Sequence, residues 1–134
     1  MAKHTIPKEY HSEKHVKEAV KAILDGSGWF WWMPAANGMG TTGISDFCAL
    51  KNGVFLAIET KFKDNTPSPM QRAFLNSVRA QESFAFLVNE KNVSSLQSWI
   101  ASFDRATVAA SKSEKPTTED GAAMLNAIKA MSDF

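Results

Sequence analysis

Apolar positions along the chain change period several times, and each change marks an element. Val16, Val20, Ile23 and Leu24 fall three and four residues apart, which predicts an amphipathic helix over 12–25. Ser12 stands at its N-cap and Gly26 at its end. "WFWWMP" (29–34) is apolar without helical spacing and predicts a strand stopped by Pro34. "AANGMGTTG" (35–43) is a glycine-rich loop. Apolar stretches at 44–50 and 54–62 flank Asn52-Gly53, the dipeptide of a tight primed hairpin turn. After the loop "KDNTPSP", Ser68-Pro69 opens a helix to about Ala80, with proline at the first helical position. "SFAFLV" (83–88) predicts a short buried strand. Val93, Leu96, Ile100 and Phe103 predict a helix over 93–103. "SKSEKPTTED" (111–120) reads as a polar linker, and Met124, Leu125, Ile128 and Met131 mark a last helix over 120–131. The order is α-β-β-β-α-β-α-α. The strand, helix, strand passage predicts that 84–88 lies parallel to an earlier strand. The fold class is α/β, in the α+β range: a mixed sheet of about four strands flanked by helices.

Two carboxylates break the apolar pattern of the hairpin. With a two-residue turn, Lys51 faces Val54 and each later pair of positions sums to the same number. Asp46 is then set opposite Glu59, with Cβ atoms ~5 Å apart on one sheet face. Like charges so placed repel, more strongly near low-dielectric walls. A divalent cation bridging both acids offsets that repulsion. Lys61 shares the face of Glu59, since side chains alternate along a strand. One face, Phe55, Ala57, Glu59 and Lys61, therefore turns from apolar to charged at its far end. The plainer alternative is an exposed salt-bridge cluster at a strand end.

Composition narrows the class of protein. A chain of 134 residues, 44% hydrophobic and 22% charged, suits one soluble globular domain. No apolar run approaches the ~20 residues of a membrane helix. The polar N-terminus lacks the apolar centre of a signal peptide, and Cys48 is the only cysteine. Together these lead us to expect a cytoplasmic protein with no membrane partner. The balance of 15 basic against 14 acidic residues gives a net charge of +1. Any nucleic-acid surface must therefore come from local clustering of lysines.

Gly43-x-x-Asp46, about a dozen residues, and then Glu59-Thr60-Lys61 resemble the signature of the PD-(D/E)XK nucleases. The closer resemblance is to the virus-type replication-repair nuclease (VRR-NUC) domain. Its early glutamate helix matches Glu13, its Ser-Pro-x-Gln helix matches Ser68 to Gln71, and its short apolar strand matches Phe84 to Val88. The match covers about residues 12–90. Ser45 departs from the family, which often has proline before the aspartate. The resemblance implies a restriction-endonuclease-like fold and Mg2+- or Mn2+-dependent hydrolysis of phosphodiester bonds. It implies that Asp46, Glu59 and the Thr60 backbone carbonyl are metal ligands, with Glu13 joining them. Lys61 would orient the attacking water or hold a phosphate oxygen, and Gln71 would lie beside the metal or the scissile phosphate. Stand-alone members resemble junction-resolving nucleases, which implies a homodimer acting on structured, branched or four-way-junction DNA. On that reading 1–104 is the nuclease domain, and 105–134 is a linker and helix packed on it or at a dimer interface. The alternative is a non-catalytic nucleic-acid- or protein-binding module on the same fold.

Several residues carry two readings. Glu13 lies in line with Val16, Val20 and Leu24 on the buried face of its helix, yet a first-turn acid also favours the helix dipole. Ser68-x-x-Gln71 is a capping box, which competes with any role of Gln71 at a metal. His11 and His15 are four apart but lack a third ligand with supporting spacing. Lys14, Lys17 and Lys21 form a basic helix flank, a solvated face that can also meet a phosphate backbone. Trp29 to Trp32 suit core, a dimer surface or base stacking. Asn37 and Thr41 in the glycine-rich loop, with Lys14 and Lys63, are candidate DNA contacts.

Overall fold

Asn52 and Gly53 both adopt positive φ, 52° and 79°, which is what a primed two-residue turn requires. They fix the central hairpin of the computed structural model, which describes residues 3–35, 43–112 and 117–134. Strands β2 (Phe47–Lys51) and β3 (Val54–Thr60) pair antiparallel from Lys51↔Val54 to Phe47↔Ile58. This is the register expected from the turn. Strand β1 (Phe30–Trp32) pairs antiparallel with β2, and β4 (Phe84–Val88) pairs parallel with β3. The described residues thus form a mixed four-stranded open sheet in the order β1-β2-β3-β4.

Helix α1 (Glu13–Gly26) precedes the sheet, and α2 (Pro69–Ala80) carries the crossover from β3 to β4. Helices α3 (Val93–Ser111) and α4 (Thr118–Ala130) close the chain. The element order is the one expected, and the fold is α+β. Val16, Val20, Ile23 and Leu24 of α1 bury against Phe47, Ala49, Leu56 and Ile58 on one sheet face. Leu96, Trp99, Ile100 and Phe103 of α3 and Ala127 of α4 complete that core, joined by Met131 just beyond α4. On the other face Leu75 of α2 packs over Ala57 and Ala85. The alternation of Ala57 with Leu56 and Ile58 divides β3 between these two layers.

Several boundaries differ from expectation. Trp29 is not in β1: it turns into the core against Trp99 and Phe103, and pairing begins at Phe30. β2 begins at Phe47 and β3 ends at Thr60, so Asp46 and Lys61 flank the ladder rather than lie within it. Ser12 occupies the N-cap of α1 but makes no side-chain capping bond. α3 continues to Ser111, eight residues past the expected end, so it crosses the boundary at 104 as one helix. The expected linker holds residues 113–116, outside the described ones, and α4 begins earlier, capped by the Thr117 side chain. Segment 105–134 is built into the domain: Ala127 and Met131 enter the core, and the Leu87 amide donates to the Met131 carbonyl (2.8 Å) at the outer edge of β4. Among the described residues no helix is long and apolar enough to cross a membrane.

Candidate functional site

The candidate site lies where β2 begins and β3 ends. Its approach is held by Gly43, whose φ is +76°. A Cβ there would stand 2.7 Å from the backbone and side chain of Met70, in the first turn of α2. Only glycine permits this contact, which docks the Gly43–Asp46 segment onto α2. Ser45, where the family often has proline, is buried, and its hydroxyl donates to the Phe47 carbonyl (2.9 Å). A hydrogen bond here fixes a backbone that proline would fix covalently.

Asp46 and Glu59 interlock. The Asp46 amide donates to Glu59 Oε1 (3.1 Å). Asp46 Oδ2 accepts from the Thr60 amide (2.9 Å) and the Thr60 hydroxyl (2.6 Å). The two acids thus meet across the strands, as the register implies, although Asp46 stands one residue outside the ladder. Thr60 is fully buried. Its carbonyl, the third ligand implied by the resemblance, belongs to the residue that Asp46 holds in place.

Glu59 is 1% exposed, and its Oε2 makes no hydrogen bond. The Lys61 ammonium lies 3.5 Å from that oxygen. Burial and the neighbouring Asp46 charge push the Glu59 carboxyl up to about 7, while Lys61 pulls the other way. Glu59 thus has one counter-charge, Lys61, and one hydrogen bond, at Oε1, which only partly offset the cost of its burial.

Glu13 joins the cluster through Lys17, which the sequence pattern places on a solvated flank. The Lys17 ammonium is 2.9 Å from Glu13 Oε2 and 3.9 Å from Asp46 Oδ1. Burial works against the charged lysine, but the bond to Glu13 and the charges of Asp46, Glu13 and Glu59 outweigh it and raise its pKa. The only signal in the sequence was the i,i+4 spacing of Glu13 and Lys17. With every group ionised the cluster holds three carboxylates and two ammoniums, a net charge of −1.

The other candidates fall elsewhere. Gln71 Oε1 accepts from the Ser68 amide (2.9 Å) and the Gln71 amide donates to Ser68 Oγ (3.2 Å), completing the capping box. Gln71 thus has its capping role, next in sequence to the Met70 that Gly43 touches. Lys63 is exposed, with its ammonium over the Phe62 ring and its amide donating to Glu90 (2.9 Å). Lys14 is exposed on α1. Asn37 and Thr41 lie outside the described residues. His15 Nδ1 accepts the His11 amide (2.9 Å), which removes it from a metal pair with His11. Phe30 and Trp32 present one open face of β1, with rings 5.6 Å apart.

Among the described residues no three His, Cys, Asp or Glu side chains converge as a metal-binding group. Asp46 and Glu59 alone nonetheless suit a hard cation, because Mg2+ is commonly held by one or two carboxylates with waters filling the octahedron. The unbonded, buried Glu59 Oε2 is the oxygen such an ion would satisfy. Comparison with protein-family models and with curated proteins returns no match. The functional reading therefore rests on the residues themselves.

Proposed function

We propose that the chain is a Mg2+- or Mn2+-dependent deoxyribonuclease that hydrolyses phosphodiester bonds, acting as a homodimer in the cytoplasm on structured or branched DNA. The observation that carries this reading is the buried Glu59 carboxylate, whose Oε2 lacks a hydrogen bond beside Asp46. Asp46 and Glu59 would hold the cation, with the Thr60 carbonyl as a further ligand and Glu13 able to join them. When bound, the cation supplies Lewis-acid polarisation of the phosphate and a water of lowered pKa. Lys61, just past β3, donates its backbone N–H to the Val88 carbonyl (3.0 Å) and so is positioned to hold a phosphate oxygen or orient the attacking water. Adding a divalent charge takes the cluster from −1 to +1, which favours an incoming phosphate.

The test is a panel of labelled linear strands, flaps and four-way junctions incubated with Mg2+ or Mn2+. Asp46→Asn keeps an acceptor for Thr60, so the fold persists while cleavage falls roughly a hundredfold or more. Full activity in Asp46→Asn, or no cleavage of any substrate by the unmodified chain, refutes the reading. One observation favours the alternative binding module: Lys17 and Lys61 already partner the acids without a metal. Calorimetry separates the two, since a module of that kind gives no heat with millimolar Mn2+.

A further inference from the structure

We propose that Lys17 is a tethered counter-cation that sits between Glu13 and Asp46 until a divalent ion displaces it. The inference rests on the metal-site reading above and adds a residue to it. Three observations carry it. The ammonium touches Glu13 Oε2 at 2.9 Å and stands 3.9 Å from Asp46 Oδ1, so one charge serves an acid of α1 and an acid just before β2. Lys17 springs from α1, whose backbone is anchored by Val16, Val20 and Leu24 in the core, so the base of the side chain is held while a long flexible stem carries the ammonium. The lysine side chain is 28% exposed, which leaves it a path to solvent.

A divalent cation on Asp46 is repelled by the Lys17 ammonium, as one on Glu59 is by Lys61. Lys17, the more exposed of the two lysines, is the one that metal entry displaces, and two things follow. Where the ammonium swings clear of Glu13 as well, that acid becomes available to the metal or its waters. The released ammonium, still tethered at the rim, becomes a positive charge for the DNA phosphate. In the metal-free protein the same ammonium relieves the repulsion among the acids. Lys17 is a positioning residue whose two effects have opposite signs.

The opposite signs make the test. Mn2+ and Ca2+ are titrated into the full chain by calorimetry without DNA, for the unmodified protein, Lys17→Met and Lys17→Gln. Thermal unfolding is followed with and without metal. Removing the ammonium should tighten Mn2+ binding by about tenfold or more while lowering the melting temperature of the metal-free protein. Saturating Mn2+ should restore that temperature. Lys17→Gln keeps a hydrogen bond to Glu13, which guards against loss of the fold. A merely structural lysine would weaken both properties together. Unchanged or weaker Mn2+ binding in both folded variants, with binding intact in the unmodified chain, overturns the role of Lys17 and leaves the nuclease reading standing. Absence of Mn2+ binding in all three proteins overturns both.

Discussion

Glu59→Gln is the most direct probe of the site, because it removes a charge while keeping the shape and the acceptor for the Asp46 amide. The Glu59 carboxyl is raised from 4.5 to about 7. Between those two values the folded protein holds a proton that the unfolded chain has lost. Stability with respect to this group is therefore fullest below about pH 4.5 and falls as pH climbs through the window, levelling off above about 7. A tenfold change in proton affinity is worth about 1.4 kcal/mol, so the total swing is about 3 kcal/mol. Between pH 5 and pH 8 most of it, about 2 to 3 kcal/mol, is expressed. The glutamine variant has no such proton. It should gain on the original by that amount as pH rises from 5 to 8, equivalent to roughly 10 °C in melting temperature.

Urea titrations of both proteins at half-unit pH steps, in metal-free buffer, measure the difference directly. Other ionisable groups are common to the two and cancel. Saturating Mn2+ should abolish the gain, since the metal requires the ionised carboxylate that the glutamine lacks. A flat difference between pH 5 and 8 would refute the claim that Glu59 is an under-partnered buried acid. A difference of the opposite sign would show that Lys61 dominates and holds the carboxyl low.

Three further substitutions test the scaffold. Gly43→Ala forces a Cβ onto Met70 and into positive φ, so it should lose about 1 to 3 kcal/mol in urea titration and weaken Mn2+ binding as Asp46 shifts. Ser68→Ala breaks the capping box and should lose about 1 kcal/mol with unchanged Mn2+ affinity. Gln71→Ala separates the two readings of that residue: loss of stability alone assigns it to the cap, whereas loss of cleavage rate beyond that of Ser68→Ala places it at the phosphate.

The hairpin register was legible because a single local rule sets it. Asn52-Gly53 selects the turn, the turn selects the pairing, and the pairing brings Asp46 to Glu59. The parallel placement of β4 was legible for a similar reason, since a helix between two apolar strands has few ways to return. The end of α3 was not legible. Past Phe103 the apolar stripe fades, and the helix continues beside α4, where Arg105 pairs with Asp120 (2.6 Å). Trp29 misled because an apolar residue beside a strand looks the same whether it pairs or turns into the core. Lys17 was missed for a deeper reason: its importance depends on Asp46, which is distant in sequence and joined to it only by the packing of α1 on the sheet.

What the site does with its charges bears on the choice between nuclease and binding module. Along β3, Phe55 and Ala57 precede Glu59 on the face toward α2, and an apolar residue at 59 would continue that layer. A buried carboxylate there lowers the stability of the metal-free fold above neutral pH, and its Oε2 gains no hydrogen bond in return. Lys61 only partly relieves this, and Lys17 is occupied with Glu13 and Asp46. A module that binds without metal has no use for such a group, since a surface acid would serve recognition at less expense to the fold. A site that takes up a divalent cation uses it fully: the ion satisfies Oε2, removes the repulsion with Asp46, and converts a local strain into affinity for metal. Such coupling would be visible in solution through the elevated Glu59 carboxyl. At pH 6 metal binding should release close to one proton, and at pH 8.5 none, which calorimetry in buffers of different ionisation enthalpy resolves. Metal binding without proton release at pH 6 would place the cation elsewhere and return Glu59 to a purely structural role.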